Sequence, residues 1–205
     1  MAGPQPEDRD ASEGSWRPFI RDLIASMLAV ALVGAYLFAV SGVWPPLVAV
    51  ESGSMEPNMQ RNDLVFVMEE HRFAGPGAVG STGVVTRANA LASNYSRFGA
   101  PGDVIVYRPD GNGARTPIIH RAMFWVEAGE NWVKEADDSH LGTAQTCADI
   151  EYCPADHAGF ITKGDANRQY DQVEPSQLSR PVRPEWVVGT AELRIPGLGW
   201  LRLRA

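Results

Sequence analysis

Two serines flank a glycine in residues 51–57, which have the sequence Glu-Ser-Gly-Ser-Met-Glu-Pro. The glycine between Ser52 and Ser54 permits a tight backbone that exposes a serine and leaves hydrogen-bond donors free beside it. A serine hydroxyl becomes a nucleophile when a base takes its proton, another group orients that base, and donors stabilise the oxyanion. The segment therefore predicts nucleophilic chemistry, provided that the rest of the chain supplies a base.

His120 is the strongest candidate for that base among the four histidines. It follows two isoleucines in a strand-like run, so we expect a rigidly held backbone at this position. The other three, His71, His140 and His157, lie in charged or loop-rich sequence. A lone histidine in a strand is more often a core residue than a catalyst, and from its position alone that alternative stays open for His120.

Short runs of β-branched and aromatic residues, separated by turn sequences, predict the elements that would hold these groups. The predicted strands are residues 63–67, 83–86, 103–107, 123–126, 131–133, 160–162 and 186–193. Residues 69–101 form a long excursion rich in glycine and serine, and residues 127–158 are loop-rich. With almost no helical periodicity among these runs, the pattern predicts a mainly β fold, an antiparallel β domain on one N-terminal helix.

An uncharged apolar run at residues 23–40 predicts the helix. Continued to Trp44 it has about 22 residues, which at about 1.5 Å each can cross a hydrocarbon core of roughly 30 Å. The sequence thus divides into a disordered tail (1–18), a transmembrane anchor (19–44) and a β-rich domain (45–205). A cleaved signal peptide is the alternative, since the triplet at residues 39–41 ends in small residues, but its apolar region would be shorter.

Positive charge predicts the orientation of this anchor. Arg9, Arg17 and Arg21 precede the run, whereas residues 45–60 contain no lysine or arginine. The positive-inside rule then puts the N-terminus in the cytoplasm and the β domain outside it. Ser54 follows the predicted anchor by only about ten residues, so we expect it to lie near the membrane surface.

Composition limits the partners. The net charge of −7 over 205 residues argues against nucleic-acid binding, which a basic patch or stripe normally serves. Lys134 and Lys163 are the only lysines, which fits either a protein working in high salt or one encoded by a GC-rich genome.

Cys147 and Cys153 favour a disulfide or two buried thiols over zinc, because their spacing matches no zinc pattern. We predict no metal and no cofactor.

Four segments, in order after an apolar anchor, resemble the sequence boxes of type I signal peptidases. Residues 52–57 resemble the serine box, residues 102–107 the strand box, residues 119–121 the base box and residues 162–167 the last box. Because position 120 is histidine, the base box resembles that of the endoplasmic-reticulum and archaeal branch, in which histidine replaces the lysine of most bacterial enzymes. Combined with the acidic, lysine-poor composition, the resemblance favours a haloarchaeal origin. Ala166, where the family commonly has asparagine, and the long insertion after the serine box depart from the pattern.

The resemblance implies a role for each candidate catalytic residue. Ser54 would be the nucleophile, and His120 would take its proton and return it to the leaving amine. Asp171 would hold the imidazole in the correct tautomer, with Asp165 as its rival for that role or as a structural support of the site. A serine–lysine pair using Lys163 is the mechanistic alternative, disfavoured because the base position holds histidine.

Further residues would shape the site. The backbone N–H of Ser54 and the hydroxyl of Ser52 would form an oxyanion hole. Met55, with Pro57, would shape the loop and the groove that binds the substrate. Against this stands the interpretation of the same residues as a turn packed on the core.

As a member of this family the chain would be a single-pass, cell-membrane serine endopeptidase, with its N-terminus in the cytoplasm and residues 45–205 as an extracytoplasmic peptidase domain. Its substrates would be secretory preproteins, cleaved after small residues at the end of the signal peptide. Its partners would be these preproteins and the lipid bilayer, with accessory subunits left open. The alternative is a non-catalytic, membrane-anchored β domain that serves binding or assembly, including a degenerate peptidase.

Overall fold

The computed structural model describes residues 16–175 and 177–203, and the chain divides into two compact units, Met1–Val40 and Ser41–Ala205. Helix α1 spans Trp16–Ser41 and is the one helix in the described part that is long and apolar enough to cross a membrane. It ends before the predicted boundary at residue 44, because Gly42, the next residue, has a φ of 77°, the left-handed conformation that commonly ends a helix. Most of the predicted tail, residues 1–15, lies outside the described residues.

The second unit is built on a six-stranded antiparallel sheet, which confirms the predicted mainly β fold. The strand order is β1-β2-β8-β5-β6-β7, and a separate two-stranded sheet joins β3 and β4. The strands are β1 (Leu47–Ala49), β2 (Leu64–Met68), β3 (Ser96–Arg97), β4 (Ala100–Pro101), β5 (Val104–Tyr107), β6 (Ile118–Val126), β7 (Gly159–Lys163) and β8 (Val187–Ile195). Two short helices, α2 (Arg87–Ser93) and α3 (Trp200–Leu203), accompany them.

Strand β5 lies within the sheet, with a paired strand on each side. All four of its residues, Val-Ile-Val-Tyr, are buried, and it pairs with β8 on one side and β6 on the other. Continuous apolar residues of this kind suit a strand that is covered on both faces. The adjacent strand β6 is nine residues long, and its register places His120 opposite Ile105.

Two predicted strands do not form. Residues 83–86 are irregular and lead into α2, because Thr86 caps that helix by accepting a hydrogen bond from the backbone N–H of Asn89. Nearby, the carboxylate of Asp103 takes the N–H of Val85 that a strand ladder would have used. Residues 131–133 fall in a 3-10 turn, Trp132–Lys134, whose tryptophan is fully buried.

The loop-rich insertion at residues 127–158 has its own apolar core. Trp132, Leu141 and Ile150 pack there with Phe124 of β6 and with Tyr170. Cys147 and Cys153 form a disulfide across this segment, which decides between the two states that the sequence left open. The insertion is therefore a small packed subdomain on the β6–β7 side of the sheet.

Removing this disulfide is expected to lower the free energy of unfolding. The closed loop is short, with a sequence separation of 6, so the chain-entropy model gives a loss of about 2 kcal/mol for the double variant Cys147→Ala/Cys153→Ala. Denaturant unfolding of the variant and the wild type measures the difference. Equal stability, or alkylation of both cysteines in folded wild-type protein without a reductant, would contradict the expectation.

Candidate active site

Ser54, His120 and Asp171 form one hydrogen-bonded chain. Ser54 Oγ lies 2.9 Å from Nε2 of His120, and Nδ1 of His120 lies 2.7 Å from Oδ2 of Asp171. His120 and Asp171 are buried, whereas Ser54 is partly accessible at the edge of the cluster. These are the contacts that a nucleophile, its base and an orienting carboxylate require.

Three separate parts of the chain supply these groups. His120 is placed by the β5–β6 ladder. Asp171 lies in the loop after β7, which is tied to that strand by a hydrogen bond from the Asp171 N–H to the carbonyl of Thr162, 2.9 Å long. The serine segment joins the same loop, because the Ala166 N–H donates to the carbonyl of Ser54 at 2.8 Å. The two loops thus hold Ser54 and Asp171 on either side of His120.

Gly164 allows that contact between the loops. A Cβ at this position would lie 2.6 Å from the carbonyl oxygen of Ser54, closer than real Cβ contacts come. The glycine of the last sequence box is therefore required by the approach of the serine segment.

The hydrogen bonds assign the tautomer of His120. An ionised carboxylate only accepts, so Nδ1 must carry the proton that is donated to Asp171. In the neutral ring this leaves a lone pair on Nε2, which accepts the hydroxyl proton of Ser54. The arrangement therefore presents a free base to the serine in the direction that proton transfer needs.

Ser52, the predicted oxyanion donor, lies beside Ser54. Its Oγ is 3.1 Å from Oγ of Ser54 and 3.5 Å from the Ser54 backbone nitrogen. Since the Ser54 proton is directed at His120, the Ser52 hydroxyl is the donor in the contact between the two oxygens. The same hydroxyl, turned slightly, can donate to an oxyanion that forms next to Ser54.

Met55 lies in the core and not in a surface groove. Its side chain is fully buried with Val50, Met59 and Val65. It therefore supports the serine loop from beneath, and any contribution to substrate binding passes through the backbone that it holds.

Asp165 contacts Arg121 and not the histidine. The two carboxylate oxygens of Asp165 accept hydrogen bonds of 2.8 Å from Nε and 2.7 Å from Nη2 of Arg121, and Nδ2 of Asn58 adds one of 2.8 Å. Burial alone would raise the pKa of Asp165, but the bidentate arginine, with help from Asn58, lowers it below its ordinary value. Of the two rival aspartates, the structure brings only Asp171 into contact with His120.

Arg121 is a residue whose role sequence reasoning missed. Its guanidinium is almost fully buried, and Nη1 donates to the carbonyl of Gly102 at 2.7 Å and to that of Arg97 at 3.1 Å. It thereby ties the end of the 69–101 insertion to the strand that carries the histidine. The available signal was an arginine within a buried strand, because a buried guanidinium needs a carboxylate partner.

Lys163 is engaged elsewhere. Its Nζ donates to the carbonyls of Gly164 and Asn167, at 3.0 and 2.8 Å. Burial lowers the pKa of Lys163, and the charges of Asp165 and Asp171 oppose that shift. The contact to Ser54 Oγ is made by His120, so the geometry favours a serine–histidine pair over a serine–lysine pair.

The remaining histidines lie outside this cluster. Nδ1 of His140 donates to the carbonyl of Arg168, and Nε2 of His157 donates to that of Pro181. His71 is exposed, and its ring nitrogens lie 2.7 Å from Oε1 of Glu69 and 2.8 Å from the carbonyl of Ser81. Both partners of His71 are acceptors, and these hydrogen bonds raise its pKa.

One group of described residues brings metal-ligating atoms together. Glu69, Glu70 and His71 place such atoms within 4.8 Å of one another. Both ring nitrogens of the histidine face oxygen atoms, those of Glu69 and of the Ser81 carbonyl.

Known proteins that are similar to this chain at low identity share one name. Over 184 residues the chain is 26% identical to the signal peptidase complex catalytic subunit SEC11 of Lachancea thermotolerans, which covers 86% of this chain and 78% of the relative. Over 198 residues it is 27% identical to the subunit of the same name from Aspergillus oryzae, covering 90% and 81%. None of the protein-family models matches the chain.

The chain is thus similar, over most of its length, to proteins named as signal peptidase catalytic subunits. This supports the resemblance to type I signal peptidases in the endoplasmic-reticulum and archaeal branch. The haloarchaeal origin and the serine–histidine chemistry stay predictions.

Proposed function

We propose that this protein is a membrane-anchored serine endopeptidase that removes signal peptides from secretory preproteins. The observation that carries the proposal is the bridge made by His120, at 2.9 Å from Ser54 Oγ and 2.7 Å from Asp171. Similarity to signal peptidase catalytic subunits narrows the substrate from peptides in general to preproteins.

The chemistry is acyl transfer to serine followed by hydrolysis. As Ser54 Oγ attacks the scissile carbonyl, Nε2 of His120 takes its proton, and the Ser54 N–H and Ser52 hydroxyl stabilise the oxyanion. His120 then gives the proton to the leaving amine, which departs as the new N-terminus of the mature protein. A water molecule, activated by the same histidine, cleaves the acyl-enzyme and frees the signal peptide.

The placement that we propose follows from helix α1 and its flanking charges. An apolar helix of 26 residues serves as the single membrane anchor, with the N-terminus in the cytoplasm and the peptidase domain outside. Ser54 follows the last residue of that helix, Ser41, by only 13 positions in the sequence. Such a nucleophile suits a substrate whose signal helix stays in the bilayer and whose cleavage segment emerges just beyond it.

The purified full-length protein in detergent is expected to cleave a preprotein with alanine at the two specificity positions of its cleavage site. Because shallow pockets that admit alanine exclude bulk, replacing both alanines of the substrate with a large residue should block cleavage. N-terminal sequencing of the product gives the site that was cut.

A Ser54→Ala variant, purified in the same way, is the matched control for a contaminating peptidase. No cleavage by wild-type protein that circular dichroism shows to be folded, in detergent and in vesicles alike, would overturn the proposal. That result would favour the binding or assembly role for the same β domain.

A further inference from the structure

Three donors converge on one oxygen of Asp171. Besides Nδ1 of His120 at 2.7 Å, Oδ2 accepts the hydroxyl of Tyr107 at 2.9 Å and that of Thr162 at 2.7 Å. Tyr107 is the last residue of β5 and Thr162 lies in β7, and both are completely buried. The carboxylate that contacts the histidine is therefore held by both strands that flank β6.

The carboxylate oxygen is the nearer acceptor for both hydroxyls, although Oγ1 of Thr162 also lies 3.3 Å from the hydroxyl oxygen of Tyr107. Burial and the charge of Asp171 raise the pKa of Tyr107 well above its ordinary value, so its hydroxyl keeps its proton at any working pH. Thr162 has one hydroxyl proton, and Gln172 supplies the donor to its oxygen, at 3.3 Å. The backbone N–H of Thr162 donates back to Oε1 of Gln172 at 3.0 Å, which fixes the position of that amide.

We propose that Tyr107 and Thr162 are positioning residues that set how strongly Asp171 holds the proton on His120. The proposal rests on the peptidase function proposed above and gives a role to the end of the strand box. It assigns the pH range in which the enzyme works to two hydroxyls that touch neither the serine nor the substrate.

The physical reason is competition for the negative charge of one carboxylate. Hydrogen bonds from Tyr107 and Thr162 stabilise that charge and leave less of it to attract the protonated imidazole. When one hydroxyl is removed, Asp171 holds the imidazolium form more tightly, and His120 becomes a free base only at higher pH. Two other charged groups act on this cluster, Lys163 on the carboxylate and Asp110 on the tyrosine, and both are unchanged in the variants below.

Packing alone is the competing explanation for these residues. Tyr107 lies in a core cluster with Ile105, Ala122 and Phe160. If it only fills space, Tyr107→Phe changes stability and leaves the protonation of His120 where it was. A pH profile separates the two explanations, because loss of packing lowers activity at every pH alike.

The test compares Tyr107→Phe and Thr162→Val, which remove one hydroxyl each and keep the shape of the side chain. We expect the acidic limb of the kcat/KM profile to move to higher pH by about one unit in each variant, so that activity on that limb falls about tenfold. Thr162→Ser restores the hydroxyl and should return the limb to its wild-type position.

Tyr170→Phe is the matched control for the tyrosine. Tyr170 is also buried and is adjacent to Asp171 in the sequence, but its hydroxyl accepts from the N–H of Asp137, 3.1 Å away. The pH profile of this variant is expected to overlay that of the wild type.

A second readout needs no activity. In protein labelled with ¹⁵N at histidine, the ring nitrogens of His120, assigned with a His120→Gln variant, should titrate at higher pH in Tyr107→Phe than in the wild type. Unchanged titration in both folded variants would overturn the proposal, and so would failure of both to fold, which would make the hydroxyls structural. If the titration of His120 shifts in the variants but the wild-type protein cleaves no preprotein, the positioning role is supported and the peptidase function is rejected.

Discussion

Replacing His120 with alanine is expected to lower kcat/KM for preprotein cleavage by about 10⁴-fold or more, and Ser54→Ala should have an effect of the same order. The two side chains act as one unit, because Ser54 Oγ is a weak nucleophile without the base that lies 2.9 Å away. The double variant should therefore be hardly worse than either single one. Initial rates on the alanine-site preprotein, with the substrate well below KM, measure all three.

Two further variants sharpen that experiment. Lys163→Ala should keep appreciable activity, because its Nζ contacts backbone carbonyls of the last loop and the base contact to Ser54 belongs to His120. Ser81→Ala removes an exposed serine outside the cluster and controls for the purification. Inactive Lys163→Ala protein beside active His120→Ala protein would reverse the assignment and make the enzyme a serine–lysine peptidase.

Asp171→Asn is expected to lose activity, whereas Asp165→Asn is expected to lose stability. An asparagine at 171 can donate to Nδ1 of His120, which moves the proton to Nε2 and removes the lone pair that Ser54 needs, at a cost of about 10⁴ in kcat. Asp165→Asn leaves Arg121 buried without a full counter-charge, which is expected to lower the free energy of unfolding by about 3–5 kcal/mol. The roles of orienting group and structural support are thus separable in one pair of variants.

Measuring kcat and urea unfolding on both proteins tests the distinction. Since folding lowers the pKa of Asp165 below its ordinary value of 3.8, the stability that this group contributes is present above that value and is lost as the pH falls through the lower folded value. The gap in stability between wild type and Asp165→Asn should therefore narrow in strong acid. A stable Asp165→Asn protein with no activity, beside an active Asp171→Asn protein, would exchange the two roles.

Strands were predictable where the local sequence alone determines that a strand forms. Short runs of β-branched and aromatic residues favour buried strands, and two of them form as predicted. These are Val-Ile-Val-Tyr at 104–107 and the apolar residues of β2. The prediction was wrong at residues 83–86, where the Thr86 cap and the Asp103 carboxylate take the backbone groups of a would-be strand. That outcome depends on a side chain 18 positions away, which local propensity does not register.

In the candidate site, too, some features follow from the sequence and others depend on distant contacts. Residue types and order along the chain were sufficient to propose Ser54, His120 and two aspartates, since each group is defined by its own chemistry. The choice between Asp165 and Asp171 was left open, because both follow β7 within the same loop. Arg121 decides it in the folded chain: its fork binds Asp165 in two places and leaves Asp171 for the histidine.

By itself the sequence determined a mainly β domain behind one apolar helix and a set of groups suited to serine chemistry. These follow from hydrophobic pattern and functional-group identity, which need no knowledge of distant contacts. Only the tertiary structure decided which aspartate faces His120, that the two cysteines join, and that Tyr107 and Thr162 share the oxygen of Asp171. Hydrogen bonds reach only about 3 Å and depend on direction, so which groups meet is decided when strands far apart in the chain come into register.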